Sequence, residues 1–202
     1  MSEKQKNRAW ELTGWTNSRI NRILSMRDPS EQRAILANLR RGVGKAPGEI
    51  PALWGVVFDE FPSDWMAYKG AASREEWGVY IAMTLFGLHQ QGMSPSEKPM
   101  HCKGMTLGKA LSRLAGDDKD ARNRICQRFT QMATTADIKG MSYYLRNIVQ
   151  MLRAQGIPLD YALLAKDIYQ YQSKNKVNEV RLHWAQDFYR IEKENNASMT
   201  HD

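Results

Sequence analysis

Four histidines and two cysteines are the residues most able to do chemistry here, and they are scattered through 202 residues. His101 and Cys102 are adjacent, but no second pair stands at metal-ligand spacing, and neither HExxH nor CxxC occurs. A histidine cannot fold back onto its own neighbour well enough to act as its base. Gly42-Val43-Gly44-Lys45 lacks the GxxxxGK[ST] spacing of a phosphate loop and follows a helix where that loop follows a strand, so it reads as a turn. No serine lies in a nucleophile elbow. Asp117 and Asp118 sit at a helix start, where they complement the positive end of the helix dipole. A metal nuclease would need carboxylates converging from several elements, and no such pattern is visible. The expectation is a protein with no catalytic residue, no metal and no cofactor.

Cations are what the sequence offers. Lysine and arginine number 29 against 22 aspartate and glutamate, giving a net charge of +7. Such a surplus favours an acidic partner, of which nucleic acid is the commonest. It is uneven: 14 basic to 11 acidic residues in 1–105, 9 to 4 in 106–158, and 6 to 7 in 159–202. In the basic stretch Lys139, Arg146 and Arg153 recur every seventh residue, along one side of a helix whose other side is apolar. Arg124 and Arg128 are i,i+4 neighbours with Arg122 nearby, and Lys109 and Arg113 repeat that spacing. Arg40 and Arg41 close a helix, where positive charge also suits the dipole. Lys174, Lys176 and Arg181 form a basic turn and helix start. Each alone reads as a solvated face. Together, with few carboxylates between 119 and 154, the rows repel one another unless a polyanion screens them.

The elements that must carry these side chains are helical throughout. Apolar residues make up 42% of the chain and recur at helical spacing, and no stretch alternates as a strand does. A helix is expected from Asn17 to Met26. Asp28-Pro29 supplies the cap and first turn of the next, which Gly42 ends. Pro51 opens another, and Ser73 with Glu76 has capping-box spacing before the most apolar one, running to about His89. Gly92, Pro95 and Pro99 break the pattern. Beyond them come helices from Thr106, from Lys119, from Ala136 until Gly156-Ile157-Pro158, from Asp160, and from Val177 to Ile191. The fold expected is all-α: two small helical bundles, 1–90 and 106–192, joined by a linker loop at 91–105, with a frayed tail at 193–202. The six tryptophans are expected mostly in the core, with Trp10 and Trp15 outside any strong stripe. The polar N-terminus lacks the apolar run of a signal peptide, and the longest apolar run, Val79 to Leu88, is too short to span a bilayer, so the expected location is the cytoplasm. A reducing compartment also explains Cys102 and Cys126.

A series of segments then becomes familiar: Leu39-Arg40-Arg41, Ile50-Pro51-Ala52-Leu53-Trp54, Leu107-Gly108-Lys109-Ala110-Leu111, Arg124-Ile125-Cys126-Gln127-Arg128-Phe129, Thr135-Ala136-Asp137, and Trp184-Ala185-Gln186-Asp187-Phe188-Tyr189. In this order and spacing, across about residues 33–190, the chain resembles the small subunit of the type I-E CRISPR Cascade complex, the CasB family. The resemblance implies an all-helical, non-nucleolytic subunit present as a pair along the belly of an RNA-guided complex. It implies contacts with other Cascade subunits, with target DNA and the displaced strand, and with guide RNA as a further candidate, but with no membrane. Arg40, Arg41, Lys109, Arg124 and Arg128 fall within the matching segments. Arg74, Arg122, Lys139, Arg146, Arg153, Lys174, Lys176 and Arg181 join them as candidate nucleic-acid contacts from their faces and approximate positions. A helix-turn-helix regulator is the competing reading, with the turn near Thr134 as its nearest candidate.

Overall fold

The computed structural model describes the backbone of residues 3–135 and 137–199, and the side chains of 7–135 and 137–190. Among these residues the helices are α1 (Glu3–Leu24), α2 (Pro29–Arg41), a short α3 (Trp54–Val57), α4 (Arg74–His89), α5 (Leu107–Ala115), α6 (Lys119–Ala133), α7 (Ile138–Gln155), α8 (Tyr161–Tyr171) and α9 (Val177–Met199). No strand occurs among the described residues. The protein is all-α, as its periodicity predicts. Ala136, where one helix was expected to begin, and residues 200–202 of the expected tail lie outside the described residues.

The caps fall where the sequence puts them. Asp28 accepts from the Ser30 amide, and Ser73 and Glu76 close a complete capping box. Asp160 accepts from Ala162 and Leu163, and α7 ends at Gly156 with φ +63°. One helix is longer than expected. α1 begins at Glu3 because Ala9, Leu12, Thr16, Ile20 and Ile23 form one buried stripe. Its polar early turns and the weak helix formers Thr13, Gly14 and Thr16 hid that stripe. Both threonine hydroxyls donate back to carbonyls four residues earlier, which satisfies them inside the helix.

α4 is buried all round from Val79 to His89, so it must be the central element. α2, α7 and α8 pack on it, α8 also packs on α1, and α5 packs along α9. Two glycines make such approaches possible. A Cβ on Gly87 would stand 2.6 Å from the Leu39 Cβ, and one on Gly108 would overlap the Trp184 carbonyl. The buried apolar side chains of residues 9–88 and 105–188 form one continuous cluster.

The 91–105 segment is held at both ends. Gln90 donates to the Met93 and Lys98 carbonyls and accepts from the Met100 amide. The Leu159 amide donates to the Met100 carbonyl and the Cys102 amide to the Leu159 carbonyl, while the Gly104 amide donates to the Asp160 carboxylate at 2.7 Å. His101 is buried: its Nδ1 accepts from the Tyr161 amide, so in the neutral ring Nε2 donates to Asn17. The tryptophans divide more evenly than expected. Trp65 and Trp184 are buried and Trp15 and Trp77 pack on the core, but Trp54 is 53% and Trp10 61% exposed. Trp15 packs edge-on against Phe61, and Trp10 lies under the Lys166 ammonium.

Candidate nucleic-acid interface

Helix α6 is capped by Asp118, whose carboxylate accepts from the Asp120 and Ala121 amides. It buries Ile125, Phe129 and Met132, and its arginines leave that stripe in different directions. Toward α9, Arg122 donates to the Phe188 carbonyl at 3.2 Å, with its guanidinium 4.6 Å from the Phe188 ring centroid. Toward α7, Arg124 and Arg128 are exposed. Arg124 meets Asp118 at 3.8 Å with both side chains 65% exposed, a pairing of small energy in water. Arg128 touches the Met151 sulfur at 3.5 Å, a weak acceptor that leaves its charge uncompensated.

These two arginines stand between two surface hollows. The first is apolar, with Leu114, Ala121, Ile125, Met151 and Ala154 around it. The second is mixed, with Tyr144, Ile148 and the amides of Gln127, Gln131 and Asn147. Both arginines line both hollows.

Helix α7 carries its cations on its other flank. Tyr144 and Arg146 bracket the fully buried Leu145, so at about 100° per residue they leave the helix on opposite sides. Tyr144 faces the hollow beside α6, and Arg146, with Lys139 seven residues earlier, faces away from it. Arg146 and Lys139 are exposed. Arg153, the third member of that row, is half-buried and donates to the Gln91 side chain at 2.9 Å, tying α7 to the 91–105 segment. The rows on α6 and α7 are therefore two surfaces.

The remaining candidates divide in the same way. Arg40, Arg41 and Lys174 are exposed, and Arg41 makes only a 3.4 Å contact with Asn38. Lys109 is half-buried on α5. Arg74 lies 5.0 Å over the Tyr169 ring, and Lys176 pairs with Glu179. Arg181 donates to the Tyr171 hydroxyl, whose single proton is within reach of both the Ala133 and Thr135 carbonyls before α7. For Arg74, Arg122, Arg153 and Arg181 the side chain has a structural partner that spacing alone does not reveal, whereas the partner of Lys176 is its i,i+3 neighbour.

Sequence reasoning passed over the amides and Tyr144 of the mixed hollow, because uncharged residues beside an apolar stripe give no distinctive signal. It also passed over a buried polar set. His89 Nδ1 lies 2.8 Å from the Tyr161 hydroxyl, and burial, with Arg153 nearby, pulls its pKa down to about 4. Asp167 is buried and accepts from Trp184 Nε1 at 2.6 Å, and burial pushes its pKa up. Among the described residues no three His, Cys, Asp or Glu side chains gather to hold a metal ion, and no helix is long and apolar enough to cross a membrane.

The described residues form an all-helical fold that leaves Arg124 and Arg128 exposed on one face of α6. Residues 35–189 match the family model for the CRISPR-associated protein Cse2, and the chain belongs to that family. The crystal structure of CasB from Thermobifida fusca is 32% identical, with 88% of this chain and 97% of that one covered and a TM-score of 0.73. CasB of M. ruber is 25% identical, covering 91% and 97%, with a TM-score of 0.63. A chain of a CRISPR RNA-guided surveillance complex shares the fold at 21% identity and a TM-score of 0.71, covering 93% and 99%. No curated protein matches the sequence.

Proposed function

We propose that this chain is a non-catalytic small subunit of a type I-E, Cascade-like surveillance complex, acting in the cytoplasm in antiviral defence. In that role it holds nucleic-acid backbone without reading its sequence, steadying target DNA and the displaced strand of the R-loop. Its partners are nucleic acid, the other subunits and a second copy of itself. The observation that carries the reading is the pair Arg124 and Arg128: exposed, one helical turn apart, and met by a single solvated carboxylate. Arg40, Arg41, Lys139, Arg146 and Lys174 are exposed cations that extend it to other faces. Phosphate contacts supply affinity and register but no sequence information.

The test is charge reversal of Arg124 and Arg128 together. The variant keeps its circular dichroism and thermal midpoint, and a complex assembled with it retains DNA less well. For the isolated chain, the slope of log affinity against log salt falls by roughly 0.7 to 0.9 for each phosphate contact removed. Strongly sequence-selective, salt-insensitive binding would instead restore the regulator reading.

A further inference from the structure

We propose that residues 92–104 form a proton-sensitive strap, held closed over the start of α8 by the neutral His101 ring and released when that ring becomes an imidazolium. The device is independent of the backbone-holding role. The segment is built to move as a unit. Gly92 and Gly104 stand at its ends with φ of +80° and +82°, the left-handed region open to glycine, and a Cβ on either would meet nothing. Between them no side chain belongs to the continuous apolar cluster, although Met100 is buried. Hydrogen bonds, and not apolar packing, therefore hold the strap. Gln90 binds three of its backbone groups, Met100 and Cys102 bond to Leu159, and Gly104 bonds to Asp160. Elements held in this way open locally while a packed core stays folded.

His101 ties the strap to two helices at once. Its Nδ1 accepts from the Tyr161 amide at 3.1 Å, and its Nε2 lies 3.1 Å from the Asn17 side-chain oxygen on α1. Only the neutral ring offers that acceptor. In the imidazolium both nitrogens carry hydrogens, so Nδ1–H meets the Tyr161 N–H and a buried amide loses its partner. Asp160, at the start of α8, is the charged group beside the ring and favours the imidazolium. Its oxygens already accept from the Gly104, Ala162 and Leu163 amides. Tyr161 is the other titratable neighbour on α8, with His89 of α4 on its hydroxyl, while α1 presents uncharged Asn17. Burial outweighs Asp160 and holds the His101 pKa below its ordinary 6.5, so the open strap takes up a proton that the closed one does not. What His101 adds to closure is fully present above about pH 6.5 and is lost as pH falls below it.

The experiment is hydrogen exchange on the full-length chain at pH 7, 6 and 5, each rate divided by the intrinsic rate at that pH. The proteins are wild type, His101→Asn, which keeps an acceptor near the Nδ1 position but does not titrate, and His89→Phe. In the wild type the Met100, Cys102 and Tyr161 amides should exchange faster than those inside α4 and α7 at every pH. Their protection should fall by up to about 30-fold between pH 7 and pH 5, the limit for a histidine that titrates at 6.5 when open. His101→Asn should abolish this response while α4 and α7 keep theirs, and His89→Phe should leave it in place. Strap amides that hold their protection down to pH 5, or that exchange only together with α4 and α7, overturn the proposal. So does an undiminished response in His101→Asn. If that variant does not fold, nitrogen-15 spectra of the wild-type ring decide. The Nε2–H tautomer at pH 7, titrating below 6.5 in step with the strap amides, supports the device, and a ring already protonated on Nδ1 at pH 7 overturns it.

Discussion

Helix α6 carries three arginines within seven residues, and they meet different fates. Arg122 lies on the side toward α9, where its guanidinium covers Phe188 and donates to that residue's carbonyl. Arg124 and Arg128 lie on the side toward α7, where the hollows leave them in water. The difference comes from the neighbour and not from the arginines. α9 brings an aromatic ring and the Phe188 carbonyl within reach, and α7 brings Met151 and half-buried Tyr144. Charge spacing identifies cations that leave an apolar stripe. Whether a cation is available to a partner depends on what the next helix presents to it.

The strongest way to break this comparison is to put a charge where the same helices meet. Leu145 is fully buried on α7, one residue from exposed Arg146. Leu145→Asp buries an unpaired carboxylate at a cost of several kcal/mol, comparable to the whole stability of a domain. The variant should lose its helical dichroism and cooperative melting, while Arg146→Glu keeps both. Unfolding by Arg146→Glu but not by Leu145→Asp would mean the faces of α7 are inverted.

Acid tests the buried side of the molecule. His89 titrates near 4 in the fold and near 6.5 when unfolded, so between those values the unfolded chain binds a proton that the folded chain does not. Stability therefore falls as pH drops from about 6.5 to 4, by about 3 kcal/mol if His89 acts alone. His101, whose pKa is also lowered by burial, adds to the fall. Denaturant melts from pH 7 to pH 4 check this, and His89→Phe should flatten the profile.

The helices, their caps and the main apolar stripes were legible because each is a local pattern. Asp28-Pro29, Ser73 with Glu76, and Gly156-Ile157-Pro158 mark their boundaries within a few residues of one another. The start of α1 was not legible, because its stripe is spread among threonines and charged residues. The ordering of 91–105 was hidden for another reason: Gln90, His101 and Asp160 are ordinary polar residues until the fold brings 90–105 against 159–161. The candidate interface was legible as a set of exposed cations, Arg124 and Arg128 among them. The loss of Arg122, Arg153 and Arg181 to internal partners is a tertiary fact, since each partner lies ten or more residues away in sequence.

The comparison within α6 sharpens with two single substitutions. Arg122→Ala removes a hydrogen bond and a cation–π contact and should cost about 1 to 3 kcal/mol, lowering the midpoint without changing nucleic-acid affinity in the folded protein. Arg128→Ala should shift stability by no more than about 0.5 kcal/mol, and its effect should appear only in binding. Thermal melts paired with a salt titration separate the two. If Arg122→Ala weakens binding as much as Arg128→Ala does, the division of α6 into a structural and an available side fails.

The smallest effect expected is on α7, at Arg153. Its bond to the Gln91 side chain joins α7 to the 91–105 segment, and removing a single hydrogen bond of this kind costs about 1 kcal/mol at neutral pH. The same guanidinium also helps hold down the pKa of His89. Without it that pKa moves back toward its ordinary value, so the gap between folded and unfolded states narrows. Arg153→Ala should therefore be slightly less stable than wild type at pH 7, yet lose less of its stability on going to pH 5. Arg146→Ala, one helical flank shared but no internal partner, should run parallel to wild type at both pH values. Melts of the three proteins at pH 7 and pH 5 read this directly. A wild-type acid response in Arg153→Ala would detach Arg153 from His89 and return it to the row of cations that Lys139 and Arg146 present to solvent.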